Sequence, residues 1–147
     1  MISAADILAA RLLVVDDDTD AVRALEQVLT AAGYTSVTTT TDPRTVVGLH
    51  RERDFDAILL DVLMPEMDGF EVMEALKSIE RDGYLPVLAL TAEPGHRTRA
   101  LRYGARDFVR KPFDVEELLL RVRNLVEVRL LYKEVALAAT TTVPAAA

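Results

Sequence analysis

The chain has 147 residues, enough for one domain, and 50% apolar against 28% charged residues is a globular balance that excludes a wholly disordered chain. Lys and Arg number 17 against 24 Asp and Glu, a formal charge of −7, which argues against direct nucleic-acid binding because phosphate neutralisation needs clustered cations. With no Cys and only two His, at 50 and 96, thiolate metal sites, disulfides and cysteine nucleophiles are excluded, so any chemistry must be oxygen chemistry.

In chain order, residues 1–10 carry Asp6 and no basic stretch, and do not read as a signal peptide. No run approaches the length of a membrane-spanning helix, so the expectation is a cytoplasmic protein without membrane insertion. A first apolar run, Leu12-Leu13-Val14-Val15, leads into helical spacing at Ala21, Leu25, Val28 and Leu29, with a stop at Gly33. The second run, Ser36-Val37-Thr38-Thr39, is polar and belongs at a sheet edge. Asp42-Pro43 then opens a helix bearing Val46, Val47 and His50. The third run is Ala57-Ile58-Leu59-Leu60, and Asp68-Gly69 precedes a helix bearing Phe70, Val72, Met73 and Leu76. Met64-Pro65 and Asp68-Gly69 read as loop geometry, with Gly permitting a tight turn. The fourth run, Val87-Leu88-Ala89-Leu90, is followed by a weaker helix from about Gly95 to Tyr103, closed at Gly104. The fifth, Asp107-Phe108-Val109, precedes a last helix from about Val115 to Ala138, and the residues from 140 onward are expected to form a flexible tail.

Strands alternating with helices predict an α/β fold, a doubly wound parallel sheet covered on both faces. In such a sheet ligands bind beyond the carboxyl ends of the strands. Asp16-Asp17-Asp18 follow the first run, Asp61 the third, Thr91 the fourth, and Arg110 and Lys111 the fifth. Helix capping explains Asp18 well, but Asp61 is followed by Val62-Leu63-Met64-Pro65 rather than by a helix, and Lys111 is no cap. Carboxylates about 5 Å apart repel by roughly 3 kcal/mol at an effective dielectric near 20. A raised pKa, a cation or both must offset that. An all-oxygen site selects the hard cations Mg²⁺, Mn²⁺ or Ca²⁺. One acid beside a metal, a lysine and a hydroxyl is what aspartyl-phosphate chemistry needs.

The blocks LLVVDDD at 12–18, LLDVLMPEMDG at 59–69, LTA at 90–92 and KPF at 111–113 resemble the receiver domain of two-component response regulators, over about Arg11 to Leu125. The resemblance implies a flavodoxin-like, five-stranded sheet in the order 2-1-3-4-5. The last helix, read from about Val115 to Ala138, extends beyond what such a domain needs. It implies a phosphorelay role, taking a phosphoryl group from a sensor histidine kinase or histidine phosphotransfer protein. It assigns Asp61 as the phosphoacceptor and Asp16, Asp17, Asp61 and the backbone carbonyl of Leu63 as ligands of Mg²⁺, with Mn²⁺ as an alternative; Asp17 would bind directly and Asp16 through water. Thr91 would be the hydroxyl that moves towards the phosphoryl group, and Lys111 would pair with a phosphoryl oxygen, with a cis Lys111-Pro112 bond. Lys111 and the metal are expected to keep Asp61 ionised. Thr91 and Phe108 would form the switch, Phe108 standing where Tyr is frequent, and would alter the surface of the fourth helix, fifth strand and fifth helix. Leu63 and Glu93 stand at positions that influence dephosphorylation in this family. His50 and His96 are expected to be packing or surface residues. Such a protein catalyses only its own phosphorylation and dephosphorylation.

Two other readings compete. A phosphatase of the haloacid-dehalogenase type would use Asp16 and Asp18, but Asp20 stands where that family has Thr or Val, and no cap domain fits. A phosphorylation-independent receiver-like interaction module would tolerate loss of an acid, the Thr or the Lys, and all are present. The domain division expected is an extension at 1–10, a receiver at 11–126, an overhanging helix at 127–139 and a flexible tail at 140–147, with no room for an output domain. The segment at 124–135 resembles helices leading from receivers into enzymatic modules such as HD-type cyclic dinucleotide phosphodiesterases. Leu118, Val122, Leu125, Val128, Tyr132 and Val135, widened by Leu130 and Leu131, form a near-heptad stripe. Its second half is expected to overhang the sheet and to pair with a second copy as a homodimer, flanked by Glu127, Arg129, Lys133 and Glu134.

Overall fold

The computed structural model describes residues 1–64, 68–80, 84–93 and 95–142. Its strands are β1 (Arg11–Val15), β2 (Ser36–Thr40), β3 (Ala57–Asp61), β4 (Val87–Thr91) and β5 (Asp107–Arg110). The helices are α1 (Ala4–Leu8), α2 (Thr19–Ala31), α3 (Val46–Arg53), α4 (Gly69–Ile79), α5 (His96–Arg102) and α6 (Val115–Thr142). All four strand pairs are parallel and the order is β2-β1-β3-β4-β5, the flavodoxin-like order expected. The Thr-rich β2 lies at an edge, where half-exposed Thr side chains cost little.

The two faces of the sheet carry separate apolar clusters. Leu12, Val14, Leu59, Leu88 and Leu90 point to one, with Leu25 and Leu29 of α2 and Leu118, Val122 and Val126 of α6. Leu13, Val15, Ile58, Leu60, Val87 and Ala89 point to the other, with Val46 of α3, Phe70, Val72, Met73 and Leu76 of α4, and Ala100 of α5. The alternation follows from the two-residue period of a strand, and burial on both faces explains why the central strands read as unbroken apolar runs.

Helix ends follow the sequence signals. Asp18 caps α2 by accepting from the Asp20 amide, and Asp68 caps α4 by accepting from the Glu71 amide. Gly33 and Gly104 take positive φ, 107° and 105°, just past α2 and α5. Gly69 departs from expectation. It is the first residue of α4, and a Cβ there would stand 2.5 Å from Val62 Cα, so close backbone approach rather than turn conformation demands glycine. Pro65, named with the same loop, lies outside the described residues.

Residues 1–10, expected as an extension ahead of the first strand, hold a helix: Ser3 and Asp6 form a reciprocal capping box that starts α1, and Ile7 is buried in the core. Two expectations about the C-terminal end are corrected. The last helix runs through Thr142, so 140–142 are helical; the rest of the expected tail, 143–147, lies outside the described residues. The apolar stripe of that helix divides in two. Leu118, Val122 and Leu125 are buried with Val126 against the sheet, and Leu130 packs beside them, whereas Val128, Leu131, Tyr132 and Val135 face solvent. Arg129, expected to flank the stripe, is 1% exposed. Because a helix turns once in 3.6 residues, a line through 122, 125/126, 129 and 133 lies on the far side from one through 124, 128, 131 and 135.

Candidate functional site

Parallel register brings the ends of β1, β3 and β4 level, and Asp16, Asp61 and Thr91 stand at that rim. Asp61 and Thr91 are the last residues of their strands rather than the first beyond them, still paired with Leu90 and Arg110. Asp16, Asp61 and Thr91 are buried, while Asp17 is exposed. One carboxylate oxygen from each of Asp16, Asp17 and Asp61 lies within 4.8 Å of the others. Asp18, third in the acidic run, is turned to α2, and its amide donates to Asp16 Oδ1 at 3.0 Å.

Lys111 crosses 95 residues of sequence to reach this group. Its backbone amide donates to the Thr91 carbonyl at 2.9 Å, and the Lys111-Pro112 bond is cis, as expected. Its Nζ donates to Asp16 Oδ2 at 2.7 Å and stands 3.7 Å from Asp61 Oδ2. The lysine therefore serves Asp16 first. Among the described residues, Asp61 Oδ1 accepts from the Leu63 amide at 3.2 Å. Burial raises the Asp61 carboxyl to about 6, against the opposing pull of Lys111 and the Leu63 N–H and with help from the Asp16 charge. Asp17 is raised as well, by desolvation and then by Asp16. Lys111 alone does not outweigh burial at Asp61, which leaves to the metal its share of the expectation that the two cations together keep the carboxyl ionised. Three clustered acids, two of them pushed upward, are a donor set that a hard divalent cation satisfies.

Thr91 Oγ1 accepts from the Glu93 amide at 3.1 Å, so among the described residues its hydroxyl proton is available to be donated into the rim. Phe108, in the middle of β5 opposite Ala89, is half-buried against the α4–α5 side of the sheet. Leu63 and Glu93 have exposed side chains. His96 lies edge-on to Phe70 with ring centroids 5.5 Å apart, a packing role. His50 is buried at the other end of the molecule: Nδ1 accepts from the Phe55 amide, so Nε2 carries the proton that Glu80 receives at 3.1 Å.

A flavodoxin-like sheet bearing three acids, a hydroxyl and a lysine at its carboxyl rim defines a single class of domain. The family model for the response regulator receiver domain matches residues 12–123, most of the chain, and the chain belongs to that family. Among its relatives, the response regulator PleD of Caulobacter vibrioides is 43% identical over 129 residues, 86% of this chain and 28% of PleD. The response regulator MprA of Mycolicibacterium vanbaalenii is 42% identical over 121 residues, 81% of this chain and 51% of MprA. The chain thus spans about half or less of these relatives. The chemotaxis protein CheY4 of Vibrio cholerae has a similar fold, with a TM-score of 0.73, 33% identity and cover of 80% of this chain and 98% of CheY4. So does the receiver domain of the sensor histidine kinase PA1611 from Pseudomonas aeruginosa, solved with a magnesium ion in its active site cleft (TM-score 0.73, 29% identity, 81% of this chain and 98% of that one). Among the described residues no helix is long and apolar enough to cross a membrane.

Proposed function

We propose that this receiver is the phosphoacceptor of a phosphorelay and that Asp61 takes the phosphoryl group. The observation that carries the reading is the convergence of Asp16, Asp17 and Asp61 within 4.8 Å, with Lys111 Nζ between two of them. The donor is a phosphohistidine of a sensor kinase or phosphotransfer protein: an Asp61 oxygen forms the new O–P bond as the P–N bond to the imidazole breaks. Asp16, Asp17, Asp61 and the Leu63 carbonyl would hold one Mg²⁺ (or Mn²⁺), whose positive charge keeps Asp61 ionised and offsets charge developing on the phosphoryl oxygens. Lys111, already 3.7 Å from Asp61, supplies a second cation to those oxygens. Thr91 donates its free hydroxyl proton to one of them and moves inward. That motion vacates space for Phe108 and alters the surface of α5, β5 and α6, the fourth helix, fifth strand and fifth helix of the family's count. Within the receiver domain, catalysis is confined to its own phosphorylation and dephosphorylation. Incubation with acetyl phosphate and Mg²⁺ should add one base-labile phosphoryl group, and EDTA should prevent it; uptake that ignores EDTA contradicts the metal role.

A second part of the reading concerns α6. Val128, Leu131 and Val135 are 48%, 43% and 69% exposed on the side facing away from the sheet, at the three- and four-residue spacing of a coiled-coil seam. We propose that this seam pairs with a second copy. Glu127 and Glu134 lie along one flank of it and Tyr132 along the other. A parallel pair sets Glu against Tyr, whereas an antiparallel pair sets Glu against Glu, so the parallel homodimer is favoured.

A further inference from the structure

The end of the molecule opposite the acidic rim carries a second cluster of charged groups that phosphoacceptor chemistry does not use. Arg129 of α6 is 1% exposed. One of its terminal nitrogens donates to the Tyr84 carbonyl at 3.1 Å and to Glu80 Oε1 at 3.4 Å, and the other to Asp54 Oδ1 at 3.1 Å. The side chain of Glu80, the C-cap of α4, is 8% exposed, and its second oxygen accepts the Nε2–H of His50. One turn further along α6, Lys133 reaches Asp56 at 2.6 Å and Asp54 at 3.0 Å. Asp56 in turn accepts from the Arg11 amide at the start of β1. Asp54 holds the left-handed position, φ 50°, that ends α3. Five elements (α3, α4, β1, the approach to β4 and α6) therefore meet on two cationic side chains of α6.

Burying a guanidinium is poor economy for stability, since apolar packing of equal volume usually does as well or better. What a buried, multiply bonded arginine supplies is position: apolar side chains tolerate sliding and rotation, whereas a fork with three fixed acceptors does not. We propose that the Arg129–Glu80–His50 cluster, with Lys133, is a register pin that fixes the rotation and axial position of α6 on the receiver. Arg129 and Lys133 lie on the far side of the helix from Val128, Leu131 and Val135, so the pin turns that seam outward. The outward face is then selected by the receiver body and not by the helix alone. The pin stands on contacts within one chain; its consequence for output rests on the pairing role of α6 proposed above.

The test uses the absence of Cys, which makes introduced thiols unique labelling sites. Nitroxides on Gln27→Cys in α2 and Leu137→Cys near the end of α6 report the distance between body and helix by pulsed electron paramagnetic resonance. Labelled chain is diluted into unlabelled chain so that only one protomer is read. A single narrow distribution is expected in the parent and a broadened or split one in Arg129→Met, which keeps the bulk of the side chain and discards its bonds. Glu80→Gln, which preserves shape, should broaden it less. Should Arg129→Met fail to fold by circular dichroism, the Glu80→Gln/Lys133→Met pair takes its place. An unchanged narrow distribution in a folded variant overturns the pin. Phosphoryl uptake should be equal in all these chains, so failure of the phosphoacceptor reading would show separately, as absent uptake in the parent.

Discussion

At Asp61 burial and charge act against each other, and the balance makes two predictions. The carboxyl is raised to about 6 from an ordinary 3.8. A folded-state pKa above the unfolded one means that its protonation supports the metal-free fold fully below pH 3.8 and that this support is lost as pH rises through about 6. At neutral pH the metal-free protein therefore carries a penalty on the order of 2 kcal/mol at this residue. Asp61→Asn should remove most of it, raising the metal-free denaturation midpoint at pH 7 while the midpoints at pH 4 stay close. Added Mg²⁺ should stabilise the parent and have much less effect on the variant. Equal urea midpoints for parent and variant at pH 7 without metal would contradict the penalty. At Thr91, removal of the hydroxyl by Thr91→Ala should leave phosphoryl uptake largely intact but silence the response of Phe108 and its neighbours in amide NMR spectra. Equal responses in both proteins would contradict the coupling route. Gly69→Ala places a methyl 2.5 Å from Val62 Cα and 2.9 Å from the Asp61 carbonyl oxygen. It should destabilise by roughly 1–3 kcal/mol or more in urea melts and disturb the acceptor loop. The grouping of Asp16, Asp61, Thr91 and Lys111 is legible in sequence because strand ends in a parallel sheet share one rim. Which acid the lysine prefers is not, because 2.7 Å against 3.7 Å is decided by side-chain packing that no spacing encodes.

Among the elements, α6 shows where periodicity stops being informative. Its length is readable, but one apolar stripe in sequence becomes two opposed faces, because a charged residue, Arg129, occupies the buried line and apolar residues occupy the exposed one. Hydropathy assigns an arginine to solvent; Glu80, Asp54 and the Tyr84 carbonyl, up to 75 residues away, make its burial tolerable. Helix α1 is missed for a related reason: five residues are too few for a period, although Ser3 and Asp6 carry the capping signal. The anchored end of α6 should be acid-sensitive. Burial pushes the Glu80 carboxyl up, but the His50 bond and the Arg129 charge outweigh it and hold it below its ordinary 4.5. Asp54 is likewise held below 3.8, with burial overcome by Lys133 and Arg129. Depressed carboxyls contribute stability above their unfolded values and lose it as pH falls through the folded ones. Hydrogen exchange of the amides around Arg129 should therefore accelerate, relative to the exchange rates of an unfolded chain, as pH drops below 4.5, and the acceleration should shrink in Arg129→Met. Protection independent of pH in the parent would contradict it.

For the molecule as a whole, strand order follows from the family resemblance, and the burial of each strand follows from composition: polar β2 at the edge, continuous apolar β1, β3 and β4 inside. Association does not follow from either, since a seam exposed on one chain is defined only once the inner face is known. Light scattering should find a concentration-dependent dimer of the whole chain, weakened at least about tenfold by Val128→Asp together with Val135→Asp, since burying unpaired carboxylates in a seam costs more than 1.4 kcal/mol. A monomer at high micromolar concentration in the parent, with and without phosphorylation, would leave the seam without a homotypic role.

The phosphoacceptor assignment is tested most directly by locating the modified residue. The protein is treated with acetyl phosphate and Mg²⁺, the acyl phosphate is reduced with borohydride to trap its position as homoserine, and the peptides are mapped by mass spectrometry. Homoserine at Asp61 alone, and none anywhere in Asp61→Asn, is the result predicted. Modification at Asp16 or Asp17 in the parent, or undiminished phosphoryl uptake in Asp61→Asn, would contradict it.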